Sequence, residues 1–145
     1  MTHIYAIPPE TVSAIEADYA TECRTLTLAS DDEVIAIPCL ADETFSFGEQ
    51  HGRNEHGDYW QPTVVCVVPK ASLDNASVIE QLERGEWLVV TLDHNGVTRL
   101  CGDLDTQLTC ATDATTGMAH TDRNATTLTF TGRLGHPSWY LDQDL

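Results

Sequence analysis

Basic residues are scarce in this chain of 145 residues. Seven lysines and arginines stand against 23 aspartates and glutamates, which gives a formal net charge of −16 at pH 7. Such a surface repels the phosphate backbone of nucleic acids, and it lacks the clustered lysine and arginine that dock a protein on anionic lipid. The composition therefore argues against direct, sequence-specific nucleic-acid binding and against a membrane partner.

Long apolar runs are also missing. The N-terminus has no basic region followed by an apolar stretch, as a secretory signal peptide would require. The longest nearly apolar stretch, residues 64–69, is far shorter than the roughly 20 residues that span a bilayer. We therefore expect a cytoplasmic location during synthesis. The five cysteines form no C-x-x-C motif, and their odd number favours free thiols.

Catalytic signatures are absent as well. The sequence contains no G-x-S-x-G motif, no phosphate-binding glycine loop and no EF-hand spacing. The polar segment at residues 48–59 does place His51 and His56 among acidic residues, and these are residue types that ligate metals. A glycine-rich segment without a rigid scaffold does not hold three or four ligands at metal distance. We therefore expect no catalytic residue, no metal and no cofactor; a small metal-dependent hydrolase stays as an alternative.

What the sequence does contain is alternation of apolar and polar residues in eight or nine short runs. Strands come first, then one helix, then strands again, and this order predicts a mainly β fold. The expected architecture is an antiparallel β-sandwich or barrel with one packed helix at about residues 74–84, built as a single domain over residues 1–145. Residues 10–20 are predicted as a second short helix or a turn.

Two local features give sharper expectations. The dipeptide Asn95-Gly96 between two β runs predicts a two-residue type I′ hairpin turn. We also expect one buried layer to contain the strongest apolar residues of two strands: Trp87, Val89, Leu128 and Phe130.

The segment at residues 48–59 holds three glycines and no aliphatic residue, which predicts a long polar loop. Loops of this kind commonly become ordered on a partner. The candidate interface residues are histidines and aromatics in this segment or at the end of the chain: Tyr59, Trp60, Trp139, Tyr140, His51 and His56. A β-sandwich module that binds a protein or a glycan through this loop is therefore a second alternative.

The second half of the chain carries a succession of short motifs. TRLCG lies at residues 98–102, DRN at 122–124 and TLTFTG at 127–132. Over residues 86–140 this succession resembles small structural proteins of Bacteroidetes-type prophages, which are tail or head–tail connector components.

The resemblance implies a non-enzymatic virion assembly protein that acts through oligomeric contacts. Its partners would be copies of itself, with a ring as one arrangement, and other virion proteins. It would be made in the cytoplasm of the bacterial host and then enter the virion. High acidity suits a ring through which DNA slides without sticking.

Overall fold

The computed structural model describes residues 3–18, 23–29, 34–37, 46–69, 73–93, 96–115 and 125–141. The elements in chain order are β1 (His3–Ile7), a 3₁₀ turn (Pro9–Thr11), β2 (Val12–Asp18), β3 (Cys23–Leu28), β4 (Ile35–Ala36), β5 (Ser46–Asn54), β6 (Gly57–Pro69), α1 (Leu73–Arg84), β7 (Glu86–Leu92), β8 (Thr98–Cys101), β9 (Leu108–Thr115), β10 (Ala125–Thr131) and β11 (Trp139–Tyr140). The predicted mainly β fold with one helix is confirmed.

Nine strands form one continuous antiparallel sheet that turns back on itself. Its order is β11-β8-β7-β9-β10-β6-β5, and β1 pairs with β7 and with β4. The two halves of the sheet meet at β7, because Val89 to Leu92 pair with β8 whereas Glu86 and Trp87 pair with β9. Within the described residues the edge strands β5 and β11 do not pair with each other. The architecture is therefore an open, sandwich-like one and not a closed barrel.

The main core lies between the two halves of this sheet. All four residues of the predicted buried layer belong to it, and Phe130 is fully buried. The helix covers this core with Ile79 and Leu82. The indole N–H of Trp87 donates to the carbonyl of Leu82 at 3.0 Å and ties the last helical turn to β7. The helix prediction of 74–84 is confirmed to within one residue, and no helix of the described chain is long and apolar enough to cross a membrane.

A second buried cluster lies on the other face of β7. The hairpin of β2 and β3 packs there, with Val12 and Leu26 against Leu88 and Val90. The prediction of a helix or turn at residues 10–20 is therefore wrong over Val12–Asp18, and its last two positions lie outside the described residues. Val12 and Ile15 have a spacing that suits a helix, but both are β-branched, and here they gain a strand partner in β3 and an apolar surface to cover.

The hairpin between β7 and β8 is present, with a longer turn than predicted. Gly96 has the expected positive φ of 78°. However, the N–H of Asp93 donates to the carbonyl of Val97 at 3.2 Å, so the loop has three residues, 94–96, and not two. Three-residue hairpin loops place glycine at the third position for the same reason, because φ is positive there. The part of the prediction that concerns Asn95 lies outside the described residues.

The largest correction concerns residues 48–59, which are a β-hairpin and not a loop. The strands β5 and β6 pair over nine rungs, from Ser46 opposite Val65 to Asn54 opposite Gly57, without a register shift. The turn is closed by Asn54, whose side-chain oxygen accepts the N–H of His56 at 2.8 Å, and Gly57 has φ of 117°. The prediction failed because β5 is an edge strand with solvent on its outer face, so it carries little apolar alternation.

Candidate functional site

The hairpin of β5 and β6 extends beyond the strand beside it. Strand β10 pairs with β6 only from Thr63 to Pro69, and a single further bridge joins Trp60 to Leu134. Within the described chain, the distal residues 51–59 pair only with one another and, at the base, with Trp60; we call residues 51–59 the β-arm. A two-stranded ribbon without a neighbouring strand is marginally stable in water. Contact with another surface would therefore stabilise the β-arm.

Side-chain pairs hold the inner face of the β-arm together. The Arg53 guanidinium Nε lies 2.7 Å from Asp58 Oδ1, and His51 Nε2 lies 3.4 Å from the same oxygen. The imidazole of His51 also lies 4.9 Å from the ring of Trp60, centroid to centroid. Because Arg53 is 77% exposed, its ion pair contributes little to stability.

One aromatic ring covers the outer face of the β-arm. Tyr59 lies across Gly52, where a Cβ would fall 2.4 Å from the ring atom Cζ. The guanidinium of Arg133 sits 4.6 Å from the centroid of the same ring. Gly52 therefore leaves room for the tyrosine ring, which would have to shift if a side chain were present, and it lies in a paired strand and not in a loop.

The base of the hairpin is tied to the other half of the sheet through Glu49. The backbone N–H and the hydroxyl of Ser138, just before β11, both donate to Glu49 Oε2, at 2.9 and 2.5 Å. The Ser138 hydroxyl oxygen also lies 3.5 Å from Cys101 Sγ. These contacts form a seam between the edge strands β5 and β11.

Burial raises the pKa of the Cys101 thiol beside this seam to about 12, and the charge of Glu49 acts in the same direction while the Ser138 hydrogen bond opposes both. Burial likewise raises the pKa of Cys110 to about 12, helped by the charge of Glu83. Because the thiolate is the nucleophile, thiols that remain protonated at neutral pH are inert. Neither cysteine has the environment of a catalytic thiol.

Arg99 reinforces the seam with a cation between two aromatic rings. Its guanidinium lies 5.3 Å from the Phe47 ring on β5 and 5.5 Å from the Tyr140 ring on β11. Its Nη1 nitrogen lies 2.7 Å from Asp93 Oδ2. Burial alone would lower the pKa of Arg99, but the hydrogen bond and charge of Asp93 outweigh it, so the pKa is raised. Arg99 therefore stays a cation and joins three strands.

His136 is a residue type that often acts in catalysis, but its hydrogen-bond partners are not those of a catalytic histidine. Its Nε2 lies 2.7 Å from Asp103 Oδ2, and its Nδ1 lies 2.7 Å from the carbonyl oxygen of Pro137. Both ring nitrogens face oxygen acceptors, so neither is placed to take a proton from Ser138, whose hydroxyl bonds to Glu49. Asp103, His136 and Ser138 thus lack the geometry of a nucleophilic triad.

The six predicted interface residues fall into two groups that the seam brings to one side of the molecule. His51, His56 and Tyr59 lie in the β-arm with Trp60 at its base, and Trp139 and Tyr140 form β11. Tyr140 is 51% exposed. Trp139 packs on its own chain, where its ring stacks on His136 at 3.9 Å and lies 4.7 Å from the guanidinium of Arg24.

Three residues of this region were not predicted: Glu49, Arg99 and Ser138. Glu49 and Ser138 are 89 positions apart in the chain. No spacing or motif in the sequence connects such residues, because their contact depends on how the two halves of the sheet fold together. The sequence offers only a compositional signal for this region: Phe47 and Glu49 flank Gly48 in a segment that has few other apolar residues.

No three side chains of His, Cys, Asp or Glu come together as a metal site among the residues that the structure describes. The expectation that the protein binds no metal at His51 and His56 stays a prediction. His56 lies at the tip of the β-arm with its side chain 87% exposed.

Comparisons of the chain with protein-family models, with curated proteins and with solved structures found no match.

Proposed function

We propose that this protein is a non-enzymatic assembly protein that acts through contacts with copies of itself, as a tail or head–tail connector component of a phage particle. The observation that carries the assembly role is the β-arm, a two-stranded extension that pairs with no third strand in the described chain. The phage setting comes from the resemblance of residues 86–140 to prophage structural proteins.

The chemistry of the β-arm and the seam suits assembly better than catalysis. Aromatic rings with one polar end, such as Tyr59, Trp60 and Tyr140, are the side chains that anchor protein interfaces. Two polar side chains near the seam that could react are engaged, since Ser138 bonds to Glu49 and His136 bonds to Asp103. The partners we propose are further copies of this chain and other virion proteins.

Net charge opposes self-association and so limits where it can occur. Each copy carries −16 charges, and like charges repel across a contact. The contact must therefore use a region where acidic residues are balanced or absent. In the β-arm one arginine, Arg53, and two histidines, His51 and His56, lie beside the acids Glu55 and Asp58, which gives a net charge of −1 with the histidines neutral.

The role of the β-arm is tested by shortening it. Deleting Gly52, Arg53, Asp58 and Tyr59 removes two facing rungs and keeps the turn and the in–out alternation of both strands. We expect the shortened chain to fold as a monomer and to need at least about tenfold higher concentration to associate. Sedimentation velocity gives the association state, and circular dichroism checks the fold.

The matched control changes an exposed charge pair far from the β-arm. Glu80 and Arg84 form an i,i+4 pair on α1, and replacing both by glutamine leaves the net charge unchanged. This variant should associate like the unmodified chain. Equal association of all three proteins would overturn the role of the β-arm, and a phage role further requires capsid, portal or tail genes next to this gene.

A further inference from the structure

Strand β5 is an edge strand, and every second residue along it directs its backbone N–H and C=O groups away from the sheet. Trp60 exchanges both of its backbone hydrogen bonds with Leu134, at 2.9 and 2.8 Å, on the side of β6 that is remote from β5. His51, which faces Trp60, is therefore in a non-hydrogen-bonded pair. Alternation along an antiparallel ladder then assigns the same state to Phe47, Glu49 and Arg53.

The hairpin turn gives the same assignment independently. A two-residue turn is closed by a hydrogen-bonded pair, here Asn54 and Gly57. Counting back by twos from Asn54 gives the even residues of β5 as those bonded to β6. The N–H and C=O groups of the four odd residues from 47 to 53 thus point to an edge that no other described strand occupies.

Two of the features by which proteins block pairing between chains, proline or lysine on the edge strand and a β-bulge, are missing from β5. The nine residues of β5 contain no proline and no lysine, and the pairing with β6 has no bulge. The strand also carries one glutamate and one arginine, so it is neutral with His51 uncharged, in a chain of net charge −16. It is a place where two copies approach with little charge repulsion.

The sequence of β5, SFGEQHGRN, is complementary to itself about its centre. We infer that β5 pairs antiparallel with β5 of a second copy across a two-fold axis at Gln50. Glu49 then faces His51 of the second copy, Phe47 faces Arg53 of the second copy, and Gly48 faces Gly52 of the second copy. Each of these pairs occurs twice.

The register agrees with the hydrogen-bonding assignment. Pairing about Gln50 matches odd residues with odd residues, which are the ones whose backbone groups face the edge. Gln50 itself becomes a non-hydrogen-bonded pair with Gln50 of the second copy. A register shifted by one residue would match odd residues with even ones and leave the edge groups without partners.

This inference rests on the proposed assembly function and makes it more specific. It names the partner as an identical chain, the contact as an isologous strand pair, and the first assembled species as a dimer. A larger assembly, including a ring, would then be built from such dimers through a second surface.

Cysteine trapping tests the register. In a non-hydrogen-bonded antiparallel pair the facing Cα atoms are about 4.5 Å apart, which a disulfide accepts. We expect Gln50→Cys to form a dimer linked through residue 50 under mild oxidation. The control is Gln61→Cys, the rung partner of Gln50 on β6, whose copies would be three strand spacings apart, about 14 Å. A Cys39→Ser background leaves a single thiol in the tryptic peptide that identifies the bond.

A proline substitution tests the backbone pairing. His51→Pro removes an N–H that points to the open edge and no bond to β6, whereas His51→Ala removes the same side chain and keeps the N–H. We expect both variants to fold, and the proline variant to associate at least about tenfold more weakly than the alanine variant by sedimentation equilibrium.

The outcomes separate this inference from the proposed function. If Gln50→Cys links no better than Gln61→Cys, or if His51→Pro associates as tightly as His51→Ala, the β5 pairing is wrong even when the unmodified chain oligomerises. If the unmodified chain is a monomer under all conditions, the assembly function and the β5 pairing both fail.

Discussion

Cys101 shows how one buried side chain makes stability depend on pH. The pKa of its thiol is about 12 in the folded protein, against an ordinary value of 9.0. The folded state therefore favours the protonated thiol, and this contribution is fully present below pH 9. It is lost as the pH rises from 9 towards 12, because the unfolded chain releases the proton first.

We predict that the free energy of unfolding falls by up to about 1.4 kcal/mol per pH unit in that range on account of this thiol. Urea denaturation at a series of pH values above 8 measures it. Cys101→Ala should show a shallower alkaline slope, whatever its stability at neutral pH. An identical slope in both proteins would show that Cys101 does not titrate as described.

Phe130 on β10 is fully buried in the main core. We predict that Phe130→Ala lowers the free energy of unfolding by about 3–5 kcal/mol, since it removes a large apolar side chain and leaves a cavity. Its neighbour Thr129 lies on the half-exposed face of the same strand. Thr129→Ala should lower the free energy of unfolding by about 0.5 kcal/mol or less. Comparable losses in both variants would contradict the assignment of Phe130 to the buried face of β10 and of Thr129 to its half-exposed face.

Among the elements, the hairpin of β7 and β8 depends on one backbone conformation. Gly96 has φ of 78°, and a Cβ there would meet no other atom within 4 Å. The strain of a substitution is therefore purely conformational. We predict that Gly96→Val costs about 1–3 kcal/mol, measured by chemical denaturation. Gly135→Val is the control, because Gly135 also has open space around it but no positive φ. Equal losses of unfolding free energy in the two variants would contradict the positive φ of Gly96 in the turn.

Elements that present an apolar face to the core were predictable from the sequence, whereas the edge strand β5 was not. The helix and β10 each present an apolar face to the main core, so their periodicity identifies them. Strand β5 has only Phe47 packed against that core. Its remaining residues are polar or glycine, because they form a hairpin ladder and meet solvent, and this composition is also typical of a loop.

The site was predicted as a set of residue types and not as an arrangement. Tyr59, Trp60 and His51 were identified because aromatic and histidine side chains stand out in a polar segment. Their pairing with one another, and the contact of Glu49 with Ser138, follow from strand register and from the meeting of the sheet halves. Register is set by the whole ladder, so no single motif shows it.

At the scale of the whole molecule, charge and association oppose each other. Each copy carries −16 charges, so copies repel at low ionic strength, and salt screens this repulsion over about 8–10 Å. The neutral strand β5 supplies a contact that does not itself add repulsion. We therefore predict association that strengthens as salt is added, opposite to the behaviour of a contact held by surface ion pairs.

Sedimentation equilibrium of the unmodified chain across protein concentration and salt, from about 0.05 to 0.5 M, tests self-association most directly. We predict a dimer or larger species whose association constant rises with salt. A chain that remains strictly monomeric at the highest protein concentration and the highest salt would contradict it.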